Sequence, residues 1–117
     1  MKEKLLEKAI SWAKRKGFKK LRANTEEFET PRSFSQPGND EIITPDVTGF
    51  KMGNKSFIEI ALKGSDKQSI VSKWKLFSTL AARKGGKLYL LVVRGHKSFA
   101  ERIVKEYQLS NATVVSL

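Results

Sequence analysis

The side chains best placed for chemistry are Asp46, Glu59 and Lys63, all inside the stretch from Pro45 to Lys63. That stretch reads as one β-hairpin over 45–63, closed by a two-residue Gly53-Asn54 turn of the Gly-X kind, which suits the twist of the flanking strands. Such a turn sets Met52 opposite Lys55, Phe50 opposite Phe57, Thr48 opposite Glu59 and Asp46 opposite Ala61. Side chains alternate faces along a strand, so Asp46, Thr48 and Phe50 share a face with Phe57, Glu59, Ala61 and Lys63. Asp46 and Glu59 then become diagonal neighbours, roughly 7–8 Å apart at the backbone, with carboxylates able to converge on one ion from an exposed ledge. Lys63 is the other diagonal neighbour of Asp46. Two acids and one amine on one face suit a hard, oxygen-liganded cation such as Mg²⁺.

The surrounding chain supplies the elements that would hold this hairpin. Residues 2–16 carry Leu5, Leu6, Ala9, Ile10 and Ala13 at helical spacing, with Trp12 on the flank and Gly17 as the stop. Residues 18–25 read as a short strand with Leu21 and Ala23 inward and Lys20 and Arg22 outward. Residues 25–45 hold all 3 prolines and form a long loop, with a short strand or turn around Ile42-Ile43. A second helix spans 66–84, opened by a Ser65/Gln68 capping box and buried through Ile70, Val71, Trp74, Phe77, Leu80 and Ala81. Gly85-Gly86 ends it. A continuous apolar strand over 87–94 reads as central and covered on both faces. A third helix over 98–108 is capped by Ser98 and Glu101, with Phe99, Ile103, Val104 and Tyr107 inward; a last strand covers 113–117. The expected order is α-β-β-β-α-β-α-β: an α/β domain over 1–117, its mixed sheet flanked by helices.

Charge is the most informative bulk property. The chain has 23 Lys and Arg against 12 Asp and Glu, a net +11, and half of the acids lie between Glu26 and Asp46. Such a field favours a polyanionic partner, nucleic acid ahead of an anionic membrane surface; a solubilising coat of lysines is the alternative. No apolar run is long enough for a membrane span, and Met1-Lys2-Glu3 opens a helix rather than a signal peptide. With no cysteine there are no disulfides, thiolate metal sites or thiol nucleophiles, which fits a cytoplasmic protein.

Pro45-Asp46, followed on the next strand by Ile58-Glu59-Ile60-Ala61 within an αβββαβ order, resembles the PD-(D/E)XK (restriction-endonuclease-like) nuclease superfamily. The nearest likeness is to small archaeal Holliday-junction resolvases, and it covers roughly residues 2–107. The resemblance implies a restriction-endonuclease-like core with an added C-terminal helix and strand. It implies that Asp46, Glu59 and the Ile60 carbonyl hold Mg²⁺ or Mn²⁺ for hydrolysis of DNA, with RNA as a further possible substrate. It also implies a homodimer in which two sites address two strands. The sequence departs from the pattern at Ala61, where the family has its lysine. Lys63, about 7 Å further along by strand rise, and Lys73 on the following helix are the replacement amines. Glu3 and Glu7 are the first-helix acids that could complete the site.

Each of these residues also has a plainer reading. Acids on a hairpin are commonly solvated, and Lys63 beside Gly64 is an ordinary strand-end lysine. Lys73, Lys75, Arg83, Lys84 and Lys87 form either a phosphate-contacting face or the wet side of a helix. His96 lacks a partner at ligand or dyad spacing and reads as structural; Trp12 and Trp74 read as core. Phe28 and Phe34, with Arg32, have no evident core role in a long loop and are available to nucleic acid or a second subunit. Gly85-Gly86 ends a helix and is no phosphate loop. Two rivals to a nuclease follow: a catalytically impaired DNA-binding module of the same fold, and a protein-interaction domain whose basic charge is incidental.

Overall fold

The computed structural model describes residues 2–35, 42–64 and 66–117, with side chains from residue 4 onward. Its elements are α1 (Lys2–Arg15), β1 (Lys19–Ala23), β2 (Phe34–Ser35), β3 (Ile42–Ile43), β4 (Val47–Lys51), β5 (Asn54–Ile60), α2 (Lys67–Arg83), β6 (Gly85–Val92), α3 (Lys97–Glu106) and β7 (Ala112–Ser116). Five strands form one mixed sheet in the order β1-β4-β5-β6-β7, and β2 and β3 form a separate two-stranded ribbon. β1, β4 and β5 run antiparallel, whereas β6 and β7 are parallel additions reached through α2 and α3. This is the expected α/β order, with the ribbon inside the long loop at Ile42-Ile43.

Alternation along the central strands divides the core in two. Ile58, Ile60, Leu91 and Val47 pack with Leu5, Leu6, Ala9, Ile10, Trp12 and Ala13 of α1. Phe57, Ala61, Leu88, Leu90 and Val92 pack with Val71, Trp74, Phe77 and Ala81 of α2 and with Ala100 and Ile103 of α3. β6 therefore buries both faces, which explains its unbroken apolar run. Both tryptophans are core residues, as expected.

The hairpin register differs from the sequence expectation. The turn is Met52-Gly53, with Lys51 opposite Asn54, Phe50 opposite Lys55, Thr48 opposite Phe57 and Val47 opposite Ile58. Both turn residues have positive φ, 53° and 83°, the I′ geometry that hairpin twist favours. A methionine is an unusual occupant of that conformation, which hid the turn one residue upstream of the Gly-Asn pair. Moving the turn by one residue shifts the pairing by two, so every side chain keeps its face. Asp46 and Glu59 change from diagonal to directly opposite neighbours.

Other boundaries also move. The expected Ser65 cap falls outside the described residues, and the cap is Asp66, whose Oδ1 accepts the Ser69 N–H at 3.1 Å. α3 starts at Lys97 after His96, without a side-chain cap hydrogen bond. Phe28 packs against the α1 core and Phe34 against the α2 core, so both loop aromatics do have core roles. Gly85 and Gly86 begin β6 rather than only ending α2. A Cβ on Gly86 would stand 1.9 Å from the Lys55 carbonyl oxygen and 2.7 Å from Ser56 Oγ. Because the obstacle is backbone, Gly86→Ala is expected to destabilise the fold by about 3 kcal/mol. A denaturant titration checks it: the midpoint should fall with an unchanged slope.

Candidate active site

The hairpin presents Asp46, Thr48, Phe57, Glu59 and Ala61 to the face covered by α2. Thr48 stands opposite Phe57, Phe57 and Ala61 pack in the α2 core, and the acids lie between. Asp46 and Glu59 are 3% and 1% exposed, so the pair is enclosed and not the exposed ledge anticipated from the sequence. It is also tightly bound into the backbone. The Asp46 N–H donates to Glu59 Oε1 at 3.2 Å, and the Ile60 N–H donates to Asp46 Oδ2 at 3.0 Å.

Burial pushes the Glu59 carboxyl well above its usual range, and the charge of Asp46 and a side-chain hydrogen bond between the two acids push it further. Lys73 acts in the opposite direction. Its Nζ lies 3.5 Å from Glu59 Oε2, with the lysine side chain 28% exposed and Glu59 1%. Of the two replacement amines, Lys73 of α2 is the one at the acids. Lys63 is exposed beyond the end of β5, and its backbone N–H donates to His96 Nδ1 at 2.8 Å. That bond also gives His96 its structural partner. Ala61 is fully buried in the α2 core, where a lysine in its place would have to displace packed side chains.

Among the first-helix acids, the Glu3 side chain lies outside the described residues. Glu7 lines a cleft of about 610 Å³ with Ile10, Asn24, Thr25, Glu26 and Glu27. The Asn24 N–H donates to the Asp46 carbonyl at 3.1 Å, which ties this cleft to the backbone of the acid pair. Among the described residues no cluster of three or more His, Asp or Glu side chains forms a metal-binding group.

Two facing carboxylates resist full ionisation without a counter-charge, and an ammonium already stands at one of them. A raised acid binds its proton more tightly in the folded state. Its stabilisation is complete below the ordinary carboxylate pKa and is lost as pH rises through the elevated value. Glu59→Gln imitates the protonated acid, since the amide can donate to Asp46 while its oxygen accepts the Asp46 N–H. The variant is expected to melt above the wild type at pH 8 and to match it near pH 4. Thermal melts of both proteins across that range check the sign.

Apart from Lys73, the expected nucleic-acid residues of α2 fall into two groups. Lys75 is exposed on the α3 side of α2, its Nζ 5.2 Å from the Tyr107 ring centroid. Arg83 and Lys84 are exposed at the end of α2, and Lys84 raises the positive field at Lys55 together with Arg22 and Arg32. Sequence reasoning missed Arg22 and Lys55. Their alternation along β1 and β5 was the available signal, but only the sheet order brings them together. Among the described residues, no helix is long and apolar enough to cross a membrane. Comparison with protein-family models, curated proteins and solved structures finds no match to this chain.

Proposed function

We propose that the protein is a DNA-binding nuclease of the PD-(D/E)XK kind that hydrolyses phosphodiesters with Mg²⁺ or Mn²⁺. The observation that carries this reading is the Asp46–Glu59 pair, joined by the Asp46 N–H to Glu59 Oε1, with the Lys73 ammonium 3.5 Å from Glu59 Oε2. Asp46 and Glu59, with the Ile60 carbonyl, would hold the ion. A bound divalent ion supplies Lewis-acid polarisation of a phosphoryl oxygen and a more acidic water. Lys73 takes the part of the family lysine, neutralising charge that builds on the phosphate. The Ile60 N–H fixes the Asp46 carboxylate, and the Asp46 N–H fixes Glu59. The net charge of +11 draws the polyanion to the protein with little sequence preference. Two copies in a symmetric dimer would address two strands.

A second reading is favoured by one observation, the near-complete burial of both acids beside an alanine at position 61. It is a DNA-binding module of the same fold that has lost the chemistry. Branched, nicked and linear DNA incubated with and without Mg²⁺ or Mn²⁺ separates the two. Divalent-dependent strand scission supports the nuclease. Binding without scission, unchanged by Asp46→Ala, supports the module, and no DNA binding at moderate salt removes both.

A further inference from the structure

Lys55, on β5, stands where the register sets it beside Gly85, next to Lys84, and where its Nζ lies 5.5 Å from the Phe57 ring. Burial lowers the pKa of its amine, and the charges of Arg22, Lys84 and Arg32 lower it further. These four cations come from four different places: β1, the loop before β2, β5 and the end of α2. Among the described residues the one ion pair any of them makes is Arg22 with Glu29, at 3.7 Å with side chains 51% and 82% exposed. So open a pair contributes little.

Two of the cations are also held in place from below. Arg32 Cζ lies 5.9 Å from the Phe34 ring centroid and Lys55 Nζ lies 5.5 Å from that of Phe57. The two rings are 6.0 Å apart, and Phe57 stacks on Phe77 at 5.1 Å. Cation–π contact with a packed aromatic floor orders side chains that would otherwise be mobile. β6 presses onto the same point, because Gly86 leaves no room for a side chain against the Lys55 carbonyl. Crowding like charges opposes folding, and among the described residues the open Arg22–Glu29 pair is the one ion pair that offsets it. An anionic ligand would offset it further.

We infer that Arg22, Arg32, Lys55 and Lys84 form a seat for the phosphate backbone of duplex DNA, separate from the acid pair but on the same face of the sheet. Resting on the nuclease reading, it adds which phosphates the protein holds. Lys55 and Glu59 are four residues apart on one strand, or about 13 Å by strand rise. The seat therefore takes phosphates a few nucleotides along the strand from the one at the acids. The seat sets where along a strand the acids act, and it does so through sugar-phosphate contacts blind to sequence.

The test is fluorescence anisotropy of a labelled 25-base-pair duplex in EDTA, over a range of KCl concentrations. It compares wild type with Lys55→Gln/Lys84→Gln and with Lys4→Gln/Lys8→Gln, which removes the same charge from α1 on the opposite face. Losing two phosphate contacts should lower the magnitude of the log–log salt slope by about 1.8 in the Lys55/Lys84 variant. The affinity of that variant should fall at least tenfold, while the α1 variant keeps a slope close to wild type. Equal losses in the two variants would overturn the seat and leave the DNA reading standing. Failure of the wild type to bind duplex would overturn both. Melting curves confirm that each variant is folded.

Discussion

Asp46→Asn is expected to reduce divalent-dependent DNA cleavage by about 10³-fold while leaving DNA affinity within a few-fold of wild type. The asparagine side-chain oxygen can still accept the Ile60 N–H that now reaches Asp46 Oδ2 at 3.0 Å, so the hairpin keeps its anchor. What disappears is one of two negative charges that would hold the ion. If binding rests on exposed lysines and arginines elsewhere, as proposed, the two readouts should part company. Rates from a labelled substrate under single-turnover conditions, beside anisotropy in EDTA, measure them separately. Parallel loss of binding and cleavage would instead mean that Asp46 supports the fold.

Lys73→Met should cost about 10²-fold in cleavage rate, because it removes the ammonium at Glu59 Oε2 while keeping a flexible apolar side chain over Phe77. Lys63→Ala should leave the rate within a few-fold. The contrast decides which lysine, if either, serves the proposed chemistry. The reverse pattern, a silent Lys73 and a damaging Lys63, would move the chemistry to the open end of β5. Lys73→Met should also push Glu59 further toward its neutral form, because the ammonium is the larger of the two influences that oppose the rise in its pKa. In the variant, therefore, the cleavage that remains should require higher pH. A pH–rate profile distinguishes that shift from a uniform loss.

How much of this could be read from the chain depends on which symmetry each feature obeys. The shared face of Asp46 and Glu59 survived a misplaced turn because faces depend only on parity, and the register slipped by two. Their direct opposition was not legible, because it depended on Met52 adopting a left-handed conformation that methionine seldom takes. The burial of the acids was hidden for another reason. It depends on how α2 lies across the hairpin, and the apolar stripe of a helix gives its phase but not its position along the sheet. The same helix brings Lys73, and not Lys63, to Glu59. Phe28 and Phe34 looked idle because each fills a satellite of the core from within a loop, where no period marks an inward side. The crowding of Arg22, Arg32, Lys55 and Lys84 showed in the sequence only as the alternation of Arg22 and Lys55 along their strands, since the convergence itself arises from the order β1-β4-β5-β6 and the end of α2.

The central claim is that Asp46 and Glu59 act as one cation-holding unit at a phosphodiester. Electron paramagnetic resonance of Mn²⁺ titrated into the protein, with a cleavage-resistant phosphorothioate duplex present, addresses it most directly. One bound Mn²⁺ per chain in the wild type, lost in both Asp46→Asn and Glu59→Gln, is the expected result. Mn²⁺ binding that survives in both variants, or its absence from the wild type, would contradict the account.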